Sequence, residues 1–310
     1  MKSDNDKGTQ EREASVPIHA SSVIIIRDAT EDMYEIFLMK RHRNQSFMGG
    51  AYVFPGGRLD DMDCSSELVS CICGISSSNA KLILQEPDLP DDIACGLFCA
   101  ALRETFEEAG ILLAYFSEGN LVNFLDEEIR QHFSQYRKRL MNNELSFIEI
   151  SREENILFAF DLLLPYAHWI TPEAEAAFKT KRFDTRFFIA RMPGGQQPIH
   201  DGMEMTDSLW ITPCLALEKQ KAGEIMLMPP TLKIIEELNA YKSTDELLSS
   251  VNNHKINTVL PQPFAMDDGF GLKLPHDPEY TIAAYKQSPR PNDPSRIVLQ
   301  NGIWTTKLID

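Results

Sequence analysis

The chain of 310 residues has no apolar run that approaches the length of a membrane span. A transmembrane helix needs about 20 consecutive apolar residues, and the runs here are much shorter. The first residues are too polar for a secretory signal peptide, and residues 307–310 contain no Ser-Lys-Leu peroxisomal signal. We therefore expect a soluble, cytoplasmic protein that makes no membrane contact.

Positive charge is scarce, with 30 Lys and Arg against 46 Asp and Glu and a formal net charge of −16. Such an acidic chain is a poor partner for nucleic acid or for an anionic membrane. An anionic small molecule would have to enter through a bound metal or a local basic patch. The densest basic run is Lys40-Arg41-His42-Arg43. It is either the solvated end of a strand or a phosphate site, since Arg offers bidentate donors to phosphate.

Cysteine is also infrequent, with six residues and no Cys-x-x-Cys pair. The spacing typical of structural zinc sites is therefore missing, which argues against such a site. Five of the six cysteines fall between residues 64 and 99. We expect them to be reduced thiols, the default in a cytosolic protein.

Carboxylates, in contrast, are concentrated in the segment of residues 101–111. At helical period Glu104, Glu107 and Glu108 are related as i, i+3 and i+4, so they share one face of a predicted helix that ends near Gly110. Three clustered carboxylates repel one another unless a cation or a proton offsets the charge. Oxygen ligands favour Mg²⁺ or Mn²⁺, and Arg103 is an internal counter-charge. The alternative interpretation is a solvated acidic face.

A second stretch, Phe54-Pro55-Gly56-Gly57, follows an apolar run upstream. Together the two stretches resemble the signature of the Nudix hydrolases, Gly-x5-Glu-x7-Arg-Glu-U-x-Glu-Glu-x-Gly-U, in which U is apolar. Gly57 matches the opening glycine. The spacing from Gly57 to Arg103 is 46 instead of 14, which indicates an insertion of 32 residues. Counted back from Arg103, the signature's first glutamate is replaced by Cys95, and Asp91 or Asp92 is the nearest substitute.

An interrupted box of this kind resembles one branch of the family, the peroxisomal coenzyme A diphosphatase type. Further stretches that look like this branch are residues 46–57, 167–172, 182–188 and 227–231. The resemblance implies hydrolysis of coenzyme A or an acyl ester to 3′,5′-ADP and 4′-phosphopantetheine or its acyl form. Two alternatives stay open: a Nudix hydrolase of another nucleoside diphosphate derivative, such as ADP-ribose, NADH or a dinucleoside polyphosphate, or a catalytically silent nucleotide-binding module.

The resemblance also implies roles for individual residues. Metal ligands for Mg²⁺ or Mn²⁺ would be the Gly56 carbonyl, Glu104, Glu107 and Glu108, with Arg103 orienting the cluster. The catalytic base would be Glu104 or Glu204, a loop acid matched by position only. Substrate-binding candidates are Lys40, Arg41, Arg43, Gly57 and Arg182, although Arg182 also suits a structural charge at a strand entry.

The implied fold is an α/β/α Nudix sandwich with a mixed sheet. We expect a disordered tail at residues 1–16, a Nudix domain at 17–242 with the insertion at 58–92, and an extension with extra helices at 243–310 on the same domain. The insertion suits an active-site cap or an oligomer contact, so a homodimer is possible. Predicted strands are 19–27, 34–41, 51–54, 111–116, 164–171, 184–192 and one from 209. Other predicted helices are 79–85, 126–140, 152–163, 213–220, 230–238 and 244–251, with a hairpin at Asn301-Gly302.

Overall fold

The computed structural model describes residues 16–30, 33–43, 49–173, 181–200, 202, 204–252, 254–267 and 269–309. The predicted disordered tail lies almost wholly outside the described residues. None of the helices in the described ranges is both long enough and apolar enough to cross a membrane. All six cysteines are free thiols.

The elements alternate along the chain as an α/β protein requires. The strands are β1 (Ile18–Thr30), β2 (Met33–Arg41), β3 (Tyr52–Val53), β4 (Gly56–Arg58), β5 (Ile72–Cys73), β6 (Ala114–Phe116), β7 (Ile156–Ala159), β8 (Leu164–Ile170), β9 (Phe183–Arg191), β10 (Met205–Ile211), β11 (Thr258–Val259), β12 (Gln262–Met266), β13 (Gly269–Lys273), β14 (Arg296–Gln300) and β15 (Ile303–Lys307). The helices are α1 (Ser77–Ile83), α2 (Asp91–Ala109), α3 (Glu127–Met141), α4 (Phe147–Glu154), α5 (Pro213–Lys221), α6 (Pro229–Leu238) and α7 (Thr244–Val251).

The central sheet is mixed, in the order β10-β2-β1-β9-β8-β11, with β3 on β2 and β4 on β1. β1 runs parallel to β9 and antiparallel to β2 and β4. Successive side chains of a strand face opposite sides of the sheet, so the apolar residues 23–26 of β1 contribute to a hydrophobic core on each face. Val23 and Ile25 pack with α2, whereas Ile24 and Ile26 pack with α6 and α7. The predicted α/β/α sandwich is confirmed.

α2 carries the acidic segment. Asp91 and Asp92 favour the positive end of the helix dipole, and Gly110 ends the helix in the left-handed conformation (φ 69°), as predicted. The helix is anchored on the sheet by Ser21, whose hydroxyl donates to the Leu97 carbonyl at 2.6 Å. The apolar side of α2 therefore fills the core. The glutamates in the second half of the helix face β4.

The extension after α7 forms a separate four-stranded sheet, β12-β13-β14-β15. The hairpin predicted at Asn301-Gly302 is confirmed, with both residues at positive φ. The other strands of this sheet were not predicted. Gln220 of α5 donates to the Trp304 carbonyl at 3.0 Å, which ties the new sheet to the helices.

One predicted helix, residues 152–163, is wrong. α4 begins earlier, because Ser146 and Glu149 form a capping box, and it ends at Glu154. Asn155 then adopts φ 51°, a conformation that helices exclude, and the apolar residues that follow form β7. The predicted strand 111–116 shortens to β6, and the strand expected from Leu209 begins at Met205.

Candidate active site

The second half of α2 meets the two glycines of β4 at the edge of the sheet. The Gly56 N–H donates to Glu108 Oε2 at 2.8 Å. A Cβ on Gly57 would lie 2.4 Å from the carboxyl carbon of Glu104, and one on Gly56 would lie 2.3 Å from the Ser21 carbonyl oxygen. Glycine is required at position 57 because the backbone passes directly over the Glu104 carboxylate, and at position 56 because the backbone lies against β1.

Arg103 holds the cluster together through all three of its guanidinium nitrogens. Nη1 donates to Glu104 at 2.8 Å and to Glu107 at 3.2 Å. Nε and Nη2 donate to the two carboxylate oxygens of Asp63, both at 2.9 Å, and Nη2 also donates to the Arg58 carbonyl at 3.0 Å. This arginine fixes the orientation of two carboxylates that were predicted to act in the site.

The site holds more negative charge than one arginine neutralises. Burial raises the pKa of Glu104 to about 7, and the neighbouring Glu107 contributes to the rise. Burial, together with the charge of Glu104, also raises the pKa of Glu108 well above its usual range, although the Gly56 N–H acts in the opposite direction. Such a set of carboxylates takes up either protons or a cation.

The basic run divides between the two faces of the sheet. Arg41 shares the face of Phe37 and Met39 with α2, and its charge lowers the pKa of Glu108. Lys40 points to the other face, where its ammonium lies 5.4 Å from the centre of the Tyr52 ring. Lys40 and Arg43 line a cavity of about 400 Å³ there. Within the run, Arg41 thus acts on the carboxylates, whereas Lys40 and Arg43 line the cavity.

Glu204 directly precedes β10 and is exposed. Its carbonyl accepts from the His42 N–H at 2.8 Å, and its charge contributes to the raised pKa of Glu108. The structure thus brings this loop acid to the carboxylates of α2, from a position about 100 residues away in the sequence.

Comparison with known proteins agrees with this geometry. Residues 11–238 match the family model described as the NUDT19 Nudix domain. The chain belongs to this family. It is a Nudix-type hydrolase by that membership.

Individual relatives support the assignment. A Xenopus laevis protein called acyl-coenzyme A diphosphatase NUDT19 is 29% identical over 274 residues, which cover 80% of this chain and 71% of the relative. The Homo sapiens protein of the same name is 27% identical over 275 residues, 80% of this chain and 72% of that protein. A solved Nudix hydrolase from Alicyclobacillus acidocaldarius superposes with a TM-score of 0.57 at 24% identity, over 76% of this chain and 96% of that one.

The Nudix box is more complete than counting back from Arg103 suggested. Asp63 lies six residues after Gly57, where the signature has its first glutamate, and it makes the bidentate pair with Arg103. Asp63 is 2% exposed. Asp91, predicted as the nearest substitute, pairs instead with Lys81 at 2.8 Å. Counting forward from Gly57 would have found Asp63, because the insertion follows it.

Arg182, a predicted substrate-binding residue, directly precedes β9, and Asp184 lies near the start of that strand. The guanidinium of Arg182 donates to the Thr171 carbonyl at 3.0 Å and to Glu173 at 3.1 Å. Asp184 accepts from His168 at 2.5 Å and pairs with Arg186 at 2.9 Å. These contacts fit the structural interpretation of Arg182, in which its charge holds the entry of β9.

The donor set fits a hard divalent cation by its chemistry. Oxygen ligands dominate, and burial raises the pKa of Glu104 and of Glu108, with the neighbouring carboxylates adding to the rise. In the part of the chain that the structure describes, no three His, Cys, Asp or Glu side chains converge as a finished metal shell. Glu104 and Glu107 accept from Arg103, and Glu108 accepts from the Gly56 N–H.

Proposed function

We propose that this Nudix hydrolase cleaves the diphosphate linkage of coenzyme A or an acyl-coenzyme A, to 3′,5′-ADP and 4′-phosphopantetheine or its acyl form. The observation that carries the proposal is the buried carboxylate cluster of α2 beneath the Gly56-Gly57 backbone. The relatives named acyl-coenzyme A diphosphatase supply the substrate class.

The cofactor in this proposal is Mg²⁺ or Mn²⁺. Glu104, Glu107, Glu108 and the Gly56 carbonyl would hold it, and it would supply charge neutralisation at the diphosphate and a more acidic bound water. The chain's own contribution is orientation. Arg103 holds Glu104 and Glu107 at fixed positions, and the glycines allow the diphosphate to approach the carboxylates closely.

Two carboxylates are candidates for the base that takes the proton from the attacking water. Glu104 has a pKa of about 7, which suits a base near neutral pH, but it is bonded to Arg103. Glu204 is exposed and is not on the catalytic helix. Replacing each by Gln separates them. If the replaced residue is the base, the fall of kcat at acidic pH disappears. If it is only a metal ligand, activity returns at high Mn²⁺.

The divided basic run gives each cation its own role in the proposal. Arg41 lies next to the carboxylates and would contact the diphosphate, whereas Lys40 and Arg43 share a cavity and would hold the 3′-phosphate. We expect Lys40→Ala and Arg43→Ala to weaken coenzyme A use more than dephospho-coenzyme A use. Arg41→Ala should weaken both. Equal losses on the two substrates in all three variants would contradict this division.

The direct test is product analysis by mass spectrometry with Mg²⁺ and a panel of coenzyme A, acetyl-coenzyme A, ADP-ribose, NADH and a diadenosine polyphosphate. Glu107→Gln is the control for contaminating activity. Release of 3′,5′-ADP that disappears in the variant supports the proposal. Turnover of only another panel member would retain the metal site and reject coenzyme A. Tight binding without turnover would support a silent module.

A cytoplasmic location and a homodimer are further parts of the proposal, and each has its own measurement. Fractionation of cells that express the untagged chain tests the first. Light scattering on the purified protein tests the second, and a mass near 35.2 kDa would exclude a stable dimer.

A further inference from the structure

A second cavity, of about 630 Å³, lies at the C-terminal end of the catalytic helix. We call it the α3 cavity, because α3 forms one of its walls. Its volume is within the range of about 300–1,000 Å³ that is typical of small-molecule sites. The apolar residues that line it include Phe124, Leu125, Phe133 and Ile199, and two arginines, Arg130 and Arg137, also contribute.

The α3 cavity is joined directly to the residues of the active site. Arg137 donates from Nε to the Glu107 carbonyl and from Nη2 to the Glu108 carbonyl, both at 2.9 Å. The Ile199 N–H donates to the Ala109 carbonyl at 2.8 Å. The cavity therefore begins one turn from the carboxylates, on the same helix.

Its walls are fixed by hydrogen bonds. The buried Gln196 side chain accepts from the Leu112 N–H at 2.9 Å and donates to the Leu112 and Val122 carbonyls, each at 2.8 Å. Gly195 has φ +77°, and a Cβ there would lie 2.8 Å from Leu125 Cγ. This loop is therefore shaped to hold Leu125 against the opening.

The lining chemistry is that of an apolar ligand. Leu125 is 80% exposed and Ile199 is 59% exposed, although both line a cavity. The guanidinium groups are already engaged, Arg130 by Glu127 and Arg137 by the helix carbonyls. Phosphate groups would find better donors in the cavity of Lys40 and Arg43, on the other face of the sheet.

We propose that the α3 cavity receives the acyl-pantetheine arm of the substrate, with the acyl end against Leu125 and Ile199. The inference rests on the proposed function. A coenzyme A thioester has a charged nucleotide arm and a neutral arm on either side of its diphosphate. With the diphosphate at the α2 carboxylates, the basic cavity suits the first arm and the α3 cavity suits the second. The enzyme would then prefer thioesters with a medium acyl chain over free coenzyme A.

The test compares kcat/KM for coenzyme A, acetyl-coenzyme A and octanoyl-coenzyme A. We expect Leu125→Asp and Ile199→Asp to lower the ratio of octanoyl-coenzyme A to coenzyme A by about tenfold, because a charge replaces buried apolar contact. Leu82→Asp is the matched control, since Leu82 is 58% exposed on α1 and lies outside both cavities. It should keep the wild-type ratio.

A variant that raises the ratio distinguishes a specific effect on the cavity from a general loss of structure. Ser134 is an exposed residue of the cavity lining, and Ser134→Leu adds apolar surface there. It should raise the octanoyl to free coenzyme A ratio by about threefold. A ratio that stays within twofold of wild type in all three cavity variants overturns the inference, even if coenzyme A is hydrolysed normally.

A binding measurement separates this inference from the proposed function. Isothermal titration of the full chain with S-octanoyl-4′-phosphopantetheine, without metal, requires no turnover. Binding that Leu125→Asp weakens at least fivefold supports the α3 cavity, even if the chain hydrolyses no coenzyme A derivative. If wild-type protein does not bind this probe, or if Leu125→Asp binds it equally well, the arm does not occupy the cavity.

Discussion

Asp63 is the residue on which the orientation of Arg103 depends. It is almost completely buried, and its two oxygens accept from Arg103 while one also accepts from the Asp60 N–H. Burial alone would lower the pKa of Arg103, but the bonds from Asp63 and the α2 glutamates raise it. Arg103 is thereby locked as a cation that faces three carboxylates.

We expect Asp63→Asn to reduce kcat by about 10- to 100-fold with a smaller change in KM, since it disturbs residues that position the ligands. Stability should fall by about 3 kcal/mol, because a buried ion pair loses one charge. Steady-state kinetics and urea unfolding measure the two effects. Asp63→Glu, which restores the signature residue, should recover most of kcat. A kcat that stays at the wild-type level in Asp63→Asn would show that Arg103 needs no such support.

Gly57→Ala tests the close approach of β4 to α2. Its Cβ would collide with the Glu104 carboxyl, so that side chain must leave its position. We expect kcat to fall at least tenfold, with a loss of stability of about 1–3 kcal/mol from overpacking. Gly194→Ala is the control, since a Cβ there meets nothing within 4 Å. Similar kinetics in the two variants would contradict the requirement for glycine.

The raised pKa of Glu104 predicts how metal binding depends on pH. The pKa of Glu104 is about 7 in the folded protein and 4.5 in the unfolded chain. Its contribution to the stability of the metal-free protein is therefore fully present below pH 4.5. That contribution is lost as the pH rises through 7. We expect the increase in Tm on adding Mg²⁺ to be larger at pH 8 than at pH 5.5. Thermal unfolding measures it, and Glu104→Gln should flatten the difference. Equal Tm shifts at both pH values in the wild type would disprove the link.

At the scale of elements, a buried network joins the insertion to the main sheet. Arg186 of β9 makes a bidentate pair with Glu86, which follows α1, at 2.6 and 2.9 Å. Asp184 links Arg186 to His168 and His19. Although burial opposes it, hydrogen bonds from the two histidines hold the pKa of Asp184 well below its usual range. The sequence stretches at 167–172 and 182–188 thus have a structural role in the fold.

Arg186→Ala should destabilise the fold by about 3–5 kcal/mol, because it leaves Glu86 and Asp184 partly buried without their cation. Arg191→Ala, on the same strand but with an exposed pair to Asp28, should cost less than about 1 kcal/mol. Urea unfolding at pH 7 compares the two. A second expectation concerns pH: since the folded pKa of Asp184 is depressed, its contribution is present above pH 3.8 and is lost on further acidification.

Elements with strong local signals were predicted from the sequence, and elements defined by distant contacts were not. α2 has periodic apolar residues and a terminal glycine, and the α7 cap at Ser243 is a short-range feature. The strands β12 and β13 are short and contain Pro263 and two glycines, so neither alternation nor composition marks them. β7 was missed because the end of α4 depends on the left-handed backbone of Asn155, which the sequence alone does not reveal.

The same distinction holds for the active site. Glu104, Glu107 and Glu108 could be grouped because one helix carries them. The proximity of Glu204, and the separation of Lys40 from Arg41, depend on strand pairing and on which face each residue takes. The sequence does predict the role of Asp63 when the signature is aligned forward from Gly57. Alignment backward from Arg103 places Cys95 at that position instead.

At the scale of the whole molecule, the C-terminal sheet completes a cavity that the Nudix domain begins. Gly302 and Ile303, at the turn of the β14–β15 hairpin, lie opposite Lys40 and Arg43. The insertion also reaches the extension, since Gln85 donates to the His254 carbonyl at 2.7 Å and accepts from the Ile256 N–H at 3.1 Å. The extension therefore contacts both the Nudix domain and its insertion.

The parallel pairing of β1 with β9 has a consequence for how the chain is made. Val23 lies beside Phe188, so the first strand of the sheet acquires this neighbour only after 188 − 23 = 165 further residues have been added. At roughly 5–20 residues per second on the ribosome, the apolar stretch at 23–26 waits about 10–30 s. During that interval it can pair with β2 but cannot be covered on its other edge. The nascent chain therefore leaves one edge of this apolar strand uncovered for that interval, and α2 emerges before the sheet beneath it is complete.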